Sequence, residues 1–298
     1  MSIATAARQA CPARSFAATA DYWALTKPDI NFLIAIVTLA GFCFGLPEDV
    51  QRFPFLPLID TLLGTLLVSS GASALNQFVE RRFDARMRRT ARRPLVTGAL
   101  EPAAALRFGI LVSMTGVIYL AVAVNVLASL LAAVTLASYV GLYTPLKRKT
   151  PWCTLAGAFS GAMPPLIGWA AASGGLSAQA WVLYAMLFLW QFPHFMAIAW
   201  MYREDYARAG YLVLPRGERA AQFMAWQALL PSLLLIPVAW VAGAGPAYRV
   251  LACLAGAVYL YYGGRLAVEK SNLAAKRLLM MSIIYAPLAF SLIILDRL

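Results

Sequence analysis

Residues 74–95 read ALNQFVERRFDARMRRTARRPL, and this stretch marks the end of an apolar run. Asn76 is followed at four-residue steps by Glu80 and Asp84, and seven arginines surround the two acids. On an α-helix each step of four residues turns through about 400°, so the three side chains fall on one stripe. A helix that is apolar along most of its length therefore carries two carboxylates at its charged end.

The rest of the chain is strongly apolar. Of its 298 residues, 61% are hydrophobic and 13% are charged, and the mean hydropathy is +0.70. Soluble domains carry about 25% charged residues, and several runs here approach the ~20 residues needed to cross a bilayer. We expect an all-α integral membrane protein whose single domain spans residues 1–298. The apolar runs predict nine transmembrane helices, near 30–46, 58–76, 105–124, 126–143, 153–172, 180–201, 224–243, 247–266 and 278–295.

The lengths of the apolar runs lead to two further predictions, a break at Asn125 and an N-terminal tail. The run from 105 to 143 is too long for one crossing, so we predict that it breaks at Asn125. Residues 1–20 contain no long apolar segment and are interpreted as a flexible cytoplasmic tail rather than a cleaved signal sequence.

The basic residues lie almost entirely on one side of the predicted bundle. With the N-terminus in the cytoplasm, 22 of the 25 lysines and arginines fall inside, leaving Arg52, Arg249 and Arg297 outside. Cytoplasmic loops are enriched in these residues, so we predict a multi-pass protein of the bacterial inner membrane with a periplasmic C-terminus. Topology and attraction to anionic membrane lipid then explain the net charge of +12, and no nucleic-acid partner is predicted.

The acidic stripe has two interpretations. It could be a salt-bridged surface helix, since Asp84 and Arg88 are also four residues apart. Alternatively, Asn76, Glu80 and Asp84 offer the oxygen ligands that Mg²⁺ prefers, and Mg²⁺ commonly joins carboxylates to substrate phosphates. The arginines would then bind those phosphates. The second interpretation predicts a metal–diphosphate site at the cytoplasmic edge of the membrane.

A second polar group follows the sixth predicted span on the same side of the membrane. Residues 190–215 read WQFPHFMAIAWMYREDYARAGYLVLP and contain Arg203, Glu204 and Asp205. Glu204 fits an ordinary charged helix end equally well, whereas Asp205 is the favoured functional acid. If this segment packs beside the first, carboxylates from two helices face one site.

A third basic stretch, YTPLKRKTPW at 143–152, lies on the same predicted face. Lys147 and Arg148 could simply anchor a cytoplasmic loop. Tyr143 and Lys147 become candidates for the site only because the other two polar groups share that face.

Cysteine and histidine content excludes several kinds of site. The four cysteines, at positions 11, 43, 153 and 253, have no close spacing, so neither a CxxC metal site nor a disulfide framework is predicted. His194 is the only histidine, which excludes a histidine-cluster metal site and a bis-histidine haem site within one chain. An ionisable group inside a span is nevertheless a functional candidate.

These motifs resemble the UbiA superfamily of intramembrane prenyltransferases. The stripe of Asn76, Glu80 and Asp84 looks like its first acidic motif. Many members carry D-x-x-x-D as a second motif, but Ala209 stands four residues after Asp205 here, a departure shared by the haem-specific branch. Similarity to that branch runs in order from about residue 22 to the ninth span, through YWALTKPDINFL, NQFVERRFDARMRRTARRPLVTG, YTPLKRKTPW, GAMPPLIGWAAASG and FLWQFPHFMAIAWMYREDYARAGYLVLP.

The resemblance implies a bundle of about nine transmembrane helices around a central cavity, with Mg²⁺ as cofactor. Farnesyl diphosphate would give its farnesyl group to a vinyl carbon of haem B (protohaem IX), making haem O for haem–copper terminal oxidases. Haem A synthase and oxidase assembly proteins are candidate partners. Asn76, Glu80, Asp84 and Asp205 match positions that hold metal and diphosphate. Diphosphate-binding positions are matched by Lys27, Arg89, Arg93, Lys147, Arg148 and Arg203.

The resemblance leaves the role of His194 open. It could be an iron ligand, a hydrogen-bond partner or base near the reacting vinyl group, or a packing residue. It precedes Asp205 by eleven residues, which is about three turns or ~16 Å if one helix continues.

Two other functions stay open from the sequence. One is a sister prenyltransferase that acts on an aromatic or quinone precursor and shares the first acidic motif. The other is a membrane transporter or anion channel, in which charged groups gate a path. The acids of this chain lie at predicted cytoplasmic helix ends rather than along a path across the membrane, which favours the enzyme.

Overall fold

The computed structural model describes residues 12–242 and 245–297, and these residues form helices and no strands, as predicted. The α-helices, numbered in chain order, are α1 (Pro12–Thr26), α2 (Pro28–Gly45), α3 (Phe55–Asp84), α4 (Pro94–Thr97), α5 (Pro102–Ala123), α6 (Val126–Ala137), α7 (Thr144–Leu146), α8 (Cys153–Gly161), α9 (Pro164–Ser173), α10 (Ala178–Met201), α11 (Arg203–Ala209), α12 (Arg219–Ala242), α13 (Pro246–Glu269) and α14 (Asn272–Arg297). A 3₁₀ turn, Arg88–Thr90, precedes α4, and a π-helical segment, Ser138–Tyr143, joins α6 to α7.

The chain is a multi-pass membrane protein. Within the described ranges, eight helices are long and apolar enough to cross a bilayer: α2, α3, α5, α6 with its continuation to Leu146, α10, α12, α13 and α14. Each of the eight coincides with a predicted span. Helix α3 runs on past the predicted end at residue 76 to Asp84, so the acidic stripe lies on one uninterrupted helix.

The fifth predicted span, 153–172, is not one helix. It is divided into α8 and α9, with Ala162 and Met163 between them. The break follows from Pro164 and Pro165, which lack the backbone N–H groups that a continuing helix would use and which suit the first turn of a new one. Gln191 of α10 donates its side-chain amide to the Ala158 carbonyl near the break, 3.1 Å away.

The segment after this break, α9, packs very closely on α2. A Cβ atom added at Gly41 would overlap the carbonyl of Pro165, and one at Gly168 would overlap the carbonyl of Thr38. Small residues allow helix backbones to approach in this way inside membranes, where packing rather than the hydrophobic effect drives association. The glycines therefore fix α9 against α2.

The predicted break at Asn125 is confirmed. Its side-chain oxygen accepts from the Ala128 backbone N–H at 2.8 Å and so caps the start of α6. Its side-chain amide donates to the Ala170 carbonyl of α9, also at 2.8 Å. One polar residue thus ends one crossing, starts the next and ties the turn to a third helix.

The predicted flexible tail is partly wrong. Residues 12–20 belong to α1, while residues 1–11 lie outside the described part of the chain. The end of α1 is held by packing: Leu25 is fully buried beside Ala74 and Leu95, and the Tyr22 and Phe108 rings lie 5.0 Å apart. A packed end allows the helix to extend back toward the N-terminus.

Two sets of contacts position the candidate site. Helix α10 lies among α8, α9, α12 and α14, and the charged end of α3 contacts both the π-helical segment and α7. The stretch YTPLKRKTPW, which contains α7, is therefore brought against the acidic stripe.

Candidate active site

The acidic stripe at the end of α3 faces the protein interior. Asn76, Glu80 and Asp84 are 1%, 5% and 1% exposed. Asp84 pairs with Arg93 rather than with Arg88, the partner expected for a surface helix. The interpretation as a solvent-exposed, salt-bridged helix is therefore wrong. Burying a carboxylate costs free energy unless a cation or a hydrogen-bond donor is paired with it. The partners of the two acids therefore indicate which ligands the site can bind.

Each carboxylate has a cationic partner outside α3, nine residues away for Asp84 and 67 residues away for Glu80. Lys147 Nζ lies 2.7 Å from Glu80 Oε1, and Arg93 contacts Asp84 Oδ2. Burial alone would lower the pKa of Lys147, but the adjacent Glu80 carboxylate raises this pKa well above its usual value. Lys147 is therefore a fixed positive charge.

Asp84 retains an unused ligand atom. Its second oxygen, Oδ1, is buried and has no hydrogen-bond partner among the described residues. A buried, anionic oxygen without a donor is a position where a cation would be favourable. The donor set of one amide and two carboxylates fits Mg²⁺, which binds through one or two carboxylates and substrate phosphates.

Lys27 reaches the same cluster from a strained turn. Its Nζ lies 3.4 Å from Asn76 Oδ1, and its backbone has φ 52°, the left-handed region that non-glycine residues rarely adopt. The two preceding carbonyls are held by amide side chains: Gln77 donates to Leu25 O at 3.0 Å, and the Asn31 side chain to the next carbonyl at 3.1 Å. Surrounding contacts of this kind can hold a residue in a strained backbone conformation, and residues in such conformations cluster at functional sites.

The charge around Lys27 favours an anion. The pKa of Lys27 is lowered to about 7, first by burial and then by the nearby charges of Arg93 and Lys147, while Glu80 and Asp84 act in the opposite direction. Lys27 thus joins Arg93 and Lys147 at the acidic stripe, and an anion bound beside Lys27 would favour its charged form. A diphosphate placed among them would relieve their mutual repulsion.

Asp205 supports the loop that follows α3. It is 7% exposed, and its Oδ2 accepts from the backbone N–H groups of Arg88 at 3.1 Å and Arg89 at 3.4 Å. Its Oδ1 pairs with Arg208, so these contacts anchor the 3₁₀ turn to α11. Across the described ranges, no three His, Cys, Asp or Glu side chains group closely enough to hold a metal ion by themselves. Glu204, the adjacent acid, is exposed.

The other predicted basic residues separate into two groups. The Arg89 guanidinium lies over the Tyr202 ring at 5.4 Å, and that of Arg148 over the Phe83 ring at 4.8 Å, both beside the charged end of α3. Arg203 instead donates to Asn272 Oδ1 at 2.6 Å, which ties α11 to the start of α14. Arg203 is therefore engaged in helix packing rather than joined to the stripe.

Tyr139, in the π-helical segment, and Thr144, directly after it, are site residues that the sequence did not single out. Asn76 Nδ2 donates to Thr144 Oγ1 at 3.1 Å. Lys147 Nζ lies 4.4 Å from the centre of the Tyr143 ring, which in turn lies 5.3 Å from the Tyr139 ring. The spacing of Tyr139, Tyr143 and Lys147, four residues at a time, was a usable signal for Tyr139. Nothing in the local sequence pointed to Thr144.

His194 lies on α10 in a separate polar group. Its Nδ1 is 2.7 Å from Ser282 Oγ, and its ring stacks on Trp190 with centroids 5.1 Å apart. The Ser282 hydroxyl is 2.6 Å from the Leu279 carbonyl. Because that hydroxyl has one proton to donate, it accepts from His194 Nδ1–H when it donates to the carbonyl. The lone pair then resides on Nε2.

The assumption that one helix continues from His194 to Asp205 is wrong. Pro193 is accommodated inside α10, but α10 ends at Met201 and α11 begins at Arg203, with Tyr202 at the junction. The two residues therefore sit on different helices, and the distance of three continuous turns does not apply.

Comparison with known families gives one matching model, the UbiA prenyltransferase family, over residues 23–284. A protein of Solibacter usitatus called protoheme IX farnesyltransferase is 48% identical, covering 93% of this chain and 98% of its own. A protein of Salinibacter ruber with the same name is 41% identical, again covering 93% of this chain and 98% of its own.

Solved structures show the same fold at low sequence identity. A digeranylgeranylglyceryl phosphate synthase is 15% identical, with a TM-score of 0.71 over 94% of this chain and 98% of its own. A UbiA homologue from Archaeoglobus fulgidus, bound to GPP and Mg²⁺, is 16% identical, with a TM-score of 0.66 over 92% of this chain and 99% of its own.

Proposed function

Because the chain belongs to the UbiA prenyltransferase family, we propose that it transfers the farnesyl group of farnesyl diphosphate to a vinyl carbon of protohaem IX, forming haem O. We infer prenyl transfer from one observation, the buried stripe of Asn76, Glu80 and Asp84. This stripe faces the side chains of Lys27, Arg93 and Lys147. The choice of haem as acceptor is supported by relatives of that name, 48% and 41% identical over nearly their full length.

In this proposal the stripe holds the metal and the cations hold the diphosphate. Asn76, Glu80 and Asp84 would bind Mg²⁺, and the GPP- and Mg²⁺-bound UbiA homologue supports a divalent cation in this fold. When bound, Mg²⁺ supplies Lewis-acid stabilisation of the charge that develops on the leaving diphosphate. For Asp205, the contacts support positioning of the turn that carries Arg89; direct metal ligation by Asp205 stays a prediction.

The protein groups would act in the following order. As the allylic C–O bond of farnesyl diphosphate breaks, negative charge develops on the diphosphate, and Lys27, Arg93 and Lys147 stabilise it. Such preorganised charges lower the barrier most in a site that excludes water. The vinyl group of haem then donates its electron pair to the farnesyl carbon and forms a C–C bond. Water adds to the resulting cation next to the porphyrin and loses a proton, leaving a hydroxyethylfarnesyl group and free diphosphate. The surrounding apolar helices limit earlier capture of the allylic cation by water.

Mass spectrometry of extracted haem tests the function. Purified protein incubated with haem B, farnesyl diphosphate and Mg²⁺ is expected to yield haem heavier by one farnesyl group and one hydroxyl group, and chelation with EDTA should abolish the product. Prenylation of 4-hydroxybenzoate instead of haem would favour the sister enzyme. No consumption of farnesyl diphosphate with either acceptor would contradict the whole proposal and leave the transporter or channel.

His194 is proposed to serve the haem rather than the diphosphate. We expect His194→Ala to lower haem affinity and farnesylation about tenfold or more, because Nε2 is the nitrogen that its Ser282 contact leaves with a lone pair. Farnesyl diphosphate binding in the presence of Mg²⁺ should be unchanged. The two affinities can be measured separately, by the Soret band and by calorimetry. Unchanged haem binding with normal product formation would leave His194 as a packing residue.

The proposed location is the bacterial inner membrane, with the stripe on the cytoplasmic side and the C-terminus in the periplasm. The support is the division of basic residues, 22 inside against 3 outside. A reporter active only in the periplasm, fused after Leu298, is expected to give a strong signal. A matched fusion within the loop at residues 86–93 should give no signal. The reverse pattern of signals would show that the topology is opposite to the one proposed. Association with haem A synthase or oxidase assembly proteins belongs to the same proposal.

A further inference from the structure

The Asn76 side chain presents either oxygen or nitrogen to the metal position, depending on the orientation of its amide. Only the oxygen can bind a cation, since the nitrogen carries two protons and no available lone pair. Asn76 is 1% exposed, so solvent does not determine the orientation. The neighbouring protein groups must do so.

Thr144 constrains the nitrogen end of this amide. Its Oγ1 lies 2.8 Å from the Tyr139 carbonyl and 3.1 Å from Asn76 Nδ2. A threonine hydroxyl has one proton, and donating that proton to the Tyr139 carbonyl leaves the oxygen as an acceptor. The hydroxyl therefore accepts from Asn76 Nδ2 and faces the amide nitrogen.

The π-helical segment places the hydroxyl in this position. The Thr144 backbone N–H donates to the Tyr139 carbonyl, five residues earlier, as a π-helix requires. The side chain of the same residue donates to the same carbonyl. Thr144 is 1% exposed, so its hydroxyl has no water to turn toward, and the helix geometry fixes its free lone pair on Asn76.

Lys27 constrains the oxygen end. Lys27 Nζ lies 3.4 Å from Asn76 Oδ1 and donates to it. Reversing the amide would bring two donors together at this point and would also place oxygen against a hydroxyl whose proton is used elsewhere. Both ends of Asn76 thus favour the same orientation.

We propose that Thr144 is a positioning residue that fixes the Asn76 amide with Oδ1 toward the metal, so that the site is assembled before the substrate arrives. The inference rests on the proposed function, because it assigns Asn76 a metal-ligand role. It adds a residue from a different helix, 68 positions away in sequence, to the machinery. Loss of such supporting contacts typically costs 10–100-fold in metal affinity.

The test compares Thr144→Val, which keeps the shape and removes the hydroxyl, with Thr144→Ser, which keeps the hydroxyl. Mn²⁺ affinity is measured by electron paramagnetic resonance in the presence of farnesyl thiodiphosphate, an analogue that ionises poorly. We expect Thr144→Val to weaken Mn²⁺ binding about tenfold or more, and Thr144→Ser to restore it to within about threefold of the unaltered protein. Thr135→Val is the matched control, because the Thr135 side chain bonds only to the Leu131 carbonyl of its own helix among the described residues.

A second pair of variants isolates the amide. In the Asn76→Asp background the side chain has two equivalent oxygens, so adding Thr144→Val or Thr144→Ala should change Mn²⁺ affinity less than threefold. This non-additivity is the signature of the orientation mechanism, whereas general loosening of the site would weaken both backgrounds equally. Equal losses in both backgrounds, or no loss in Thr144→Val, would overturn the inference. If the unaltered protein binds no Mn²⁺ with the analogue and consumes no farnesyl diphosphate, the proposed function fails, and the inference with it.

Discussion

Asp84→Asn and Glu80→Gln are each expected to lower kcat/KM for farnesyl diphosphate by at least about a hundredfold. Each substitution removes one of the two buried negative charges of the stripe and weakens the binding of a hard cation where leaving-group charge develops. Asp84 should be the more sensitive position, since its buried Oδ1 has no hydrogen-bond partner within the described ranges. Steady-state kinetics over a range of Mg²⁺ concentrations measures the effect.

The protein should remain folded in both variants. Each amide keeps the volume and the hydrogen bond to Arg93 or Lys147 but leaves that cation without its counter-charge, so some stability should be lost without loss of the fold. Thermal unfolding in detergent measures this loss. Glu218→Gln is the control for the chemical change, because Glu218 is exposed on the segment before α12. Near-normal turnover of either stripe variant at saturating Mg²⁺ would show that the stripe is not a metal site.

Lys147→Met is expected to destabilise the folded protein by about 3–5 kcal/mol and to abolish activity. The Lys147 and Glu80 side chains are 14% and 7% exposed, so removing the lysine leaves a carboxylate buried beside an apolar side chain. Breaking one half of a buried ion pair carries a penalty of about this size, because the remaining charge loses its partner but does not regain water. Unfolding by dodecyl sulfate titration of micellar protein measures the free energy.

The double variant Lys147→Met with Glu80→Gln separates stability from function. Removing both charges should recover most of the lost stability, since no unpaired charge remains, but activity should stay absent because the site then lacks a cation and an anionic ligand. Lys149→Met, at an exposed position two residues away, should alter neither. A double variant as unstable as Lys147→Met alone would mean that the lysine acts through packing rather than charge.

The sequence was sufficient to identify α3 and its stripe. Helical spacing predicted that Asn76, Glu80 and Asp84 share one face, and the structure has them on one continuous helix, all buried. The break at Asn125 was equally accessible, because a polar residue between two long apolar runs can serve as a helix cap. These features depend on residues within a few turns of one another.

The fifth span shows how a local signal was overlooked. Pro164 and Pro165 stand in the middle of the predicted segment, and adjacent prolines are a reason to expect a helix boundary. Overall hydropathy outweighed that signal in the prediction of one helix over 153–172. The structure places α8 and α9 on either side of the prolines.

By itself the sequence determined that the chain is a multi-pass helical membrane protein with an acidic stripe on α3. Hydropathy and helical periodicity record what each residue requires of its immediate surroundings, so a short window contains them. Only the tertiary structure decided the partners: Lys147 for Glu80, Arg93 for Asp84, and Thr144 for Asn76. Two of these pairs join residues 67 and 68 positions apart. Such contacts depend on how the helices cross and on the π-helical segment between α6 and α7. Both are set by the packing of the whole bundle.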